Sequence, residues 1–284
     1  MRKNYGICVP SRIVHLTRSF RIMGLKMVST LAASLFATGL AFAVPPPAQT
    51  TPFGLSVVTP LTKFSNGDAA AQLFAATLLP KAAALTGQNL NAPLVIPGYT
   101  TLKIDPAKID LATQASARLY FAGENAGYSN SVGFNGAGPW VGAGAKLAFL
   151  DSSSPKPRTA GDYVDLGVFN AGTNLDFFVI ADGANHLGYT SPTNLDQVMS
   201  TDLAANLDGL QHVYAYAVKD SPYLLLTFED MPGGGDRDYN DVILVADIGR
   251  ANIRHFFGAP EPSLLLALGS FAAVLMTVTG RRRT

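Results

Sequence analysis

From residue 118 onwards the chain breaks into short apolar runs punctuated by Gly, Pro, Asn and Asp. The runs span residues 118–122, 146–150, 163–169, 175–181, 212–218, 223–229 and 242–248, and each is rich in β-branched or aromatic residues. That combination predicts strands bounded by turns. In 212–218, His212, Tyr214, Tyr216 and Val218 alternate with Val213, Ala215 and Ala217, the period of two expected when one strand face is packed. Residues 223–228 and 242–245 are apolar at nearly every position, which fits central strands covered on both faces. Seven such runs without regular intervening helices predict a mainly β fold, a jelly-roll-like β-sandwich over residues 118–250. Residues 44–117 read as a separate, mixed N-terminal region, opening with a Pro/Thr-rich lead over 44–52. It contains one helical pattern, in which Asp68 caps residues 69–79, Phe74 and Leu78 share a face, and Pro80 ends the helix. The Gly-rich segment 133–144 reads as a loop.

Both ends carry longer apolar runs of a different kind. Residues 28–41 follow Arg18, Arg21 and Lys26 and close on Ala41-Phe42-Ala43. A basic region, a short apolar stretch and small residues before a cleavage point form a secretory signal peptide over residues 1–43. A start at Met23 or Met27 would give a shorter basic region. At the other end, residues 263–280 hold no charged residue and would reach about 27 Å as a helix, enough for one membrane crossing. Arg281, Arg282 and Arg283 follow, a cluster retained on the cytoplasmic side of the cytoplasmic membrane. Pro260-Glu261-Pro262 stands just before the span.

Pro-Glu-Pro, one apolar span and a terminal Arg cluster, in that order, resemble the PEP-CTERM sorting signal. The resemblance covers residues 260–284. It implies that the protein is a substrate of exosortase, the transpeptidase-like membrane protease of exopolysaccharide-making Gram-negative bacteria. Glu261 and its flanking prolines would then be recognised by that partner. The tail would anchor the chain in the membrane only until processing, leaving it at the envelope surface or in the extracellular matrix. An ordinary single-pass anchor fits the same hydropathy.

Charge is segregated along the chain. Of 21 basic residues, six precede residue 44 and three follow residue 280, leaving twelve for residues 44–260 against nineteen of the twenty acids. An acidic body lacks the dense Lys/Arg surface that displaces phosphate counterions, so nucleic-acid binding is excluded. The single cysteine, Cys8, lies in the expected signal peptide. The exported body would therefore have no disulfide and no thiolate metal ligand.

The acids concentrate in one place. Residues 229–241 read Glu-Asp-Met-Pro-Gly-Gly-Gly-Asp-Arg-Asp-Tyr-Asn-Asp, between two predicted strands, with only Arg237 opposing the carboxylates. Such crowding repels itself unless a cation sits within it, and Ca²⁺ takes six to eight oxygen ligands in flexible geometry. Asp236, Asp238 and Asn240 occupy the spacing of the first three ligands of an EF-hand loop, but Asp241 stands where that loop needs Gly. Asp247 falls at the twelfth position inside a predicted strand and is not counted as a ligand. The expected ligands are Asp230, Asp236, Asp238, Asn240 and Asp241. A solvated hairpin, with Asp and Gly present for turn chemistry, is the alternative.

The stretch Phe228–Leu244, with its Phe-Glu-Asp, Gly-Gly-Gly-Asp and Asp-Tyr-Asn-Asp elements, resembles the DUF4114 family of extracellular β-domains. Residues 177–183 and 207–212 are also similar to that family, which would extend the resemblance over residues 121–248. It implies a β fold and an association with surface proteins, and no activity.

Catalytic motifs are lacking: there is no GxSxG, Walker A or GxGxxG pattern, and His186, His212 and His255 have no metal-site spacing. The protein is therefore read as no enzyme. The expected function is a structural or adhesive surface protein within exopolysaccharide or biofilm. One alternative is a carbohydrate-binding module that stacks sugars on Trp140, Tyr128 and Tyr189 in Gly/Asn-rich loops, and a weaker one is a secreted hydrolase.

Overall fold

A computed structural model describes residues 49–140 and 142–258. The expected signal peptide, the Pro260-Glu261-Pro262 motif, the apolar span and Arg281, Arg282 and Arg283 lie outside the described residues.

The fold is mainly β. Strands β1 (Leu61–Thr62), β6 (Tyr163–Phe169), β3 (Ala115–Glu124), β11 (Val242–Asp247), β10 (Tyr223–Phe228), β9 (Val213–Val218) and β2 (Thr101–Ile104) form a seven-stranded sheet in that order. Strands β5 (Lys146–Phe149), β4 (Ser131–Asn135), β7 (Asp176–Ile180) and β8 (Val198–Ser200) form a four-stranded sheet. Every pairing between named strands is antiparallel. All seven predicted strands are present. The jelly-roll expectation needs correction. A jelly roll divides eight strands between two sheets, whereas here the sheets are unequal and β9, β10 and β11 form a meander at the heart of the larger one.

Alternation explains why the central strands are apolar throughout. Leu119 and Phe121 of β3, Leu224 and Leu226 of β10, and Val242 and Leu244 of β11 meet Val132, Phe134, Phe177 and Val179 of the smaller sheet in one core. Their neighbours Tyr120, Leu225, Ile243 and Val245 point the other way, into a second core with Phe74, Leu78, Leu85 and Leu90. Each such side chain contributes about 1.5–3 kcal/mol relative to exposure. The larger sheet therefore lies between the smaller sheet and a helical layer.

That layer comes from residues expected to stand apart. Helix α1 (Ala69–Ala76) is capped by Asp68, whose Oδ1 accepts from the Ala71 N–H at 2.9 Å. Arg118 of β3 bonds both Asp68 oxygens at 2.9 Å and Asp165 of β6 at 2.6 Å, and Phe74 stacks on Tyr120 at 4.2 Å. Pro80 does not simply end the helix. It stands in the first turn of a second one, α2 (Leu79–Ala83), where its missing N–H costs nothing. Through β1, which pairs with β6, and β2, which pairs with β9, the N-terminal region also contributes both edge strands of the larger sheet.

Strand β4 takes up the first three residues of the predicted loop 133–144, and the described residues from 136 to 144 form bends and turns. A Cβ on Gly133 would lie 2.2 Å from the ring of its cross-strand partner Phe178, so this glycine marks close packing rather than a turn. A third helix, α3 (Arg250–Phe256), follows β11 and packs Ile253 into the inter-sheet core. Among the described residues no single helix is long and apolar enough to cross a membrane.

Candidate metal centre

Strands β10 and β11 are antiparallel neighbours that end level, Phe228 opposite Val242, and the acidic loop joins them. Backbone bonds fix its two feet: the Glu229 N–H donates to the His212 carbonyl at 2.9 Å and the Asp241 N–H to the Phe228 carbonyl at 3.1 Å. The Asp230 N–H donates across the neck to Asp241 Oδ2 at 2.9 Å, and Asn130 Nδ2 donates to Asp230 Oδ2 at 2.6 Å. Asp208 Oδ2 accepts from the Gly233 N–H at 2.8 Å and lies 2.8 Å from Nε2 of the buried His212. On the far side Tyr239 stacks on Tyr214 at 4.0 Å and donates to the Gln211 carbonyl at 2.9 Å. The Leu90 N–H donates to the Asp238 carbonyl at 2.7 Å, and Asn240 Nδ2 to the Gln88 carbonyl at 2.9 Å.

The loop turns sharply enough to need left-handed backbone at Gly233, Gly234 and Gly235 and also at Arg237 and Tyr239. Gly235 is required twice over. Its φ is +44°, and a Cβ there would lie 1.9 Å from Glu229 Oε1. The missing side chain of Gly235 thus leaves the room that the Glu229 carboxylate occupies.

Carboxylate oxygens converge in two groups. Glu229, Asp236 and Asp238 bring oxygens within 4.8 Å of one another, and so do Glu229, Asp230 and Asp241. Glu229 belongs to both. It is 2% exposed, Asp230 is 3% exposed, and Glu229 Oε2 is buried with no hydrogen-bond partner. Burial, followed by the charges of Asp236 and Asp230, pushes the Glu229 carboxyl above its ordinary range. Burial likewise raises Asp230 and Asp238. Asp241 is pushed up to about 8, first by burial and then by the charge of Asp230. A cavity of about 330 Å³ opens beside the cluster, lined by Asn125, Gly127, Tyr128, Met231 and the carboxylates of Glu229, Asp230, Asp236 and Asp241. This cluster could hold a metal ion.

Of the five expected ligands, Asp236 and Asp238 fall in one carboxylate group and Asp230 and Asp241 in the other, each completed by Glu229. Asn240 turns its amide nitrogen towards Gln88 and Asp238, leaving only its buried Oδ1 without a partner. Asp247 stays in β11, where its Oδ1 accepts from the Gly249 N–H at 3.0 Å, outside both carboxylate groups. Glu229, the residue common to both groups, was not among the expected ligands. Its signal was a carboxylate directly after six buried strand residues, where a lone charge needs a partner.

The expected aromatic platform is not assembled. Trp140 is 4% exposed, against the rings of Phe53 at 5.2 Å and Phe178 at 5.5 Å, so it offers no face to a sugar. Its loop is held inward because the Trp140 N–H donates to buried Asp176 at 2.6 Å. Tyr189 stacks on His186 at 4.9 Å. Of the three, Tyr128 is exposed, and it lines the cavity beside the carboxylates.

A family model described as "Domain of unknown function (DUF4114)" matches residues 169–248. A DUF4114 domain is present there. It runs from the end of β6 to Ile248 just past β11 and contains the whole acidic loop, while β3, β4 and the helical layer fall outside the match. No curated protein and no solved structure matches the chain.

Proposed function

We propose that the β-domain is a Ca²⁺-stabilised structural or adhesive module of an exported surface protein. The observation that carries this reading is Glu229, a buried carboxylate with an unpartnered oxygen, shared by two groups of acids. Burial of an uncompensated charge is costly, and a hard dication removes that cost. Ca²⁺ suits the site better than Mg²⁺, whose strict octahedral shell fits an irregular carboxylate cage poorly.

The test is a thermal melt of the purified chain in Ca²⁺ and then in EDTA. Saturation at about 100 times Kd adds about 2.7 kcal/mol, a rise of roughly 5–10 °C for a domain of this size. Asp238→Ala should lose most of the rise and Asp196→Ala, an exposed acid outside both carboxylate groups, should keep it. No rise at millimolar Ca²⁺ would leave the loop a self-contained hairpin.

Export and sorting are part of the same proposal. The order Pro260-Glu261-Pro262, apolar span, Arg281-Arg282-Arg283 supports exosortase as the processing partner and exopolysaccharide as the surroundings. Replacing Pro260, Glu261 and Pro262 with alanine should leave an unprocessed, membrane-bound form in cells. Unchanged processing would remove exosortase from the account. Carbohydrate binding keeps one supporting observation, the exposed ring of Tyr128 at the rim of the acidic cavity.

A further inference from the structure

The two carboxylate groups share one residue and differ in setting. Glu229, Asp230 and Asp241 form an inner group whose first two members are almost fully buried, and whose feet are tied to β10, β11 and Asn130. Glu229, Asp236 and Asp238 form an outer group in which Asp236 is exposed. Within each group the oxygens lie within 4.8 Å, a span that fits around one ion with ligands at about 2.3–2.6 Å. Asp230 and Asp241 fall in one group and Asp236 and Asp238 in the other, and Glu229 alone belongs to both.

We infer that the loop binds two dications, bridged by the Glu229 carboxylate. Glu229 Oε2 has no donor to satisfy it, and a bridging role uses both of its oxygens. The charge balance agrees. Five carboxylates and Arg237 leave four net negative charges, which one dication would halve and two would neutralise. Carboxylate-bridged ions sit roughly 4 Å apart, and their mutual repulsion requires a surplus of anionic ligands of this kind. The inner ion, enclosed by buried ligands, is held tightly and is structural. The outer ion, facing solvent through Asp236, exchanges freely.

This inference rests on the cation reading above but can fail separately from it. Metal-stripped chain is titrated with CaCl₂ by calorimetry, and bound Ca²⁺ per chain is counted by atomic emission after dialysis. Two ions in two steps are expected. Asp236→Asn should remove the weaker step and leave one ion, and Asp241→Asn should remove the tighter one. Glu229→Gln should abolish both. Circular dichroism of each variant without metal checks that it still folds, and Asp241→Asn keeps an oxygen to accept from the Asp230 N–H. A single ion in the unaltered chain would overturn the bridge while leaving the Ca²⁺ module intact. No ion at all would overturn both. Loss of both ions in Asp236→Asn would refute the division into an inner and an outer site.

Discussion

At Gly235 the space that any other residue would need is already taken by Glu229 Oε1, and the backbone there is left-handed. Gly235→Ala must therefore displace the shared carboxylate or unwind the turn. The expected outcome is at least a tenfold weaker Ca²⁺ affinity and a loss of about 1–3 kcal/mol, read by calorimetry and by denaturant melts. Unchanged affinity would show that Glu229 is free to move without consequence. The sequence showed that glycines belong in this loop, but not which of them meets a ligand, because that depends on where the chain returns in space. Asp236 and Asp238 stand out by their alternate spacing, whereas Glu229, shared by the strand end and the start of the acidic loop, has no spacing that marks it as a ligand. For Trp140 the sequence leaves burial and a sugar-stacking face both open, because loop composition says nothing about Asp176, whose carboxylate accepts from the Trp140 backbone N–H.

Elements were legible where a run of apolar residues or a period of two marked them, and burial alone did not suffice: β4 and β8 are buried throughout yet carry no such mark. Strands β3, β9, β10 and β11 announce themselves through apolar residues on one or both faces, and the structure gives the reason in two cores on opposite sides of one sheet. The edge strands β1 and β2 are two and four residues long, with both β1 positions half-buried and two of the four β2 positions exposed, so no alternation survives to mark them. Strand β4 hid behind Gly133, whose missing side chain accommodates the Phe178 ring. Helix α3 has no side-chain cap and only a short apolar face, with Ile253 fully buried in it. The Asp68 cap was legible because it is local, but its bidentate pairing with Arg118, fifty residues away, was not.

For the whole molecule, the dominant electrostatic feature is an acidic body with its charge concentrated at one hairpin. Asp241 is raised to about 8 by burial and its neighbours, so its protonated form is favoured in the folded, metal-free chain. The sign follows. That stabilisation is complete below the ordinary carboxylate range, near 4, and is lost as pH rises towards about 8. In EDTA the melting temperature should fall between pH 5 and pH 8. Saturating Ca²⁺, which binds the deprotonated ligands, should cancel or reverse the fall. A flat profile in EDTA would contradict the buried, proton-holding state of the cluster. The same hairpin has a further consequence through its bonds to residues 88 and 90. Asn240 and Gln88 are separated by 152 residues, yet one hydrogen bond joins them and a second joins Asp238 to Leu90 beside it. Once ions order the hairpin, that contact closes a very long segment of chain onto itself. The entropic penalty of such closure rises only with the logarithm of its length. In a body without cysteine, the metal-bound loop would then act as a reversible cross-link between the helical layer and the sheet, set by the surrounding calcium concentration rather than by redox state.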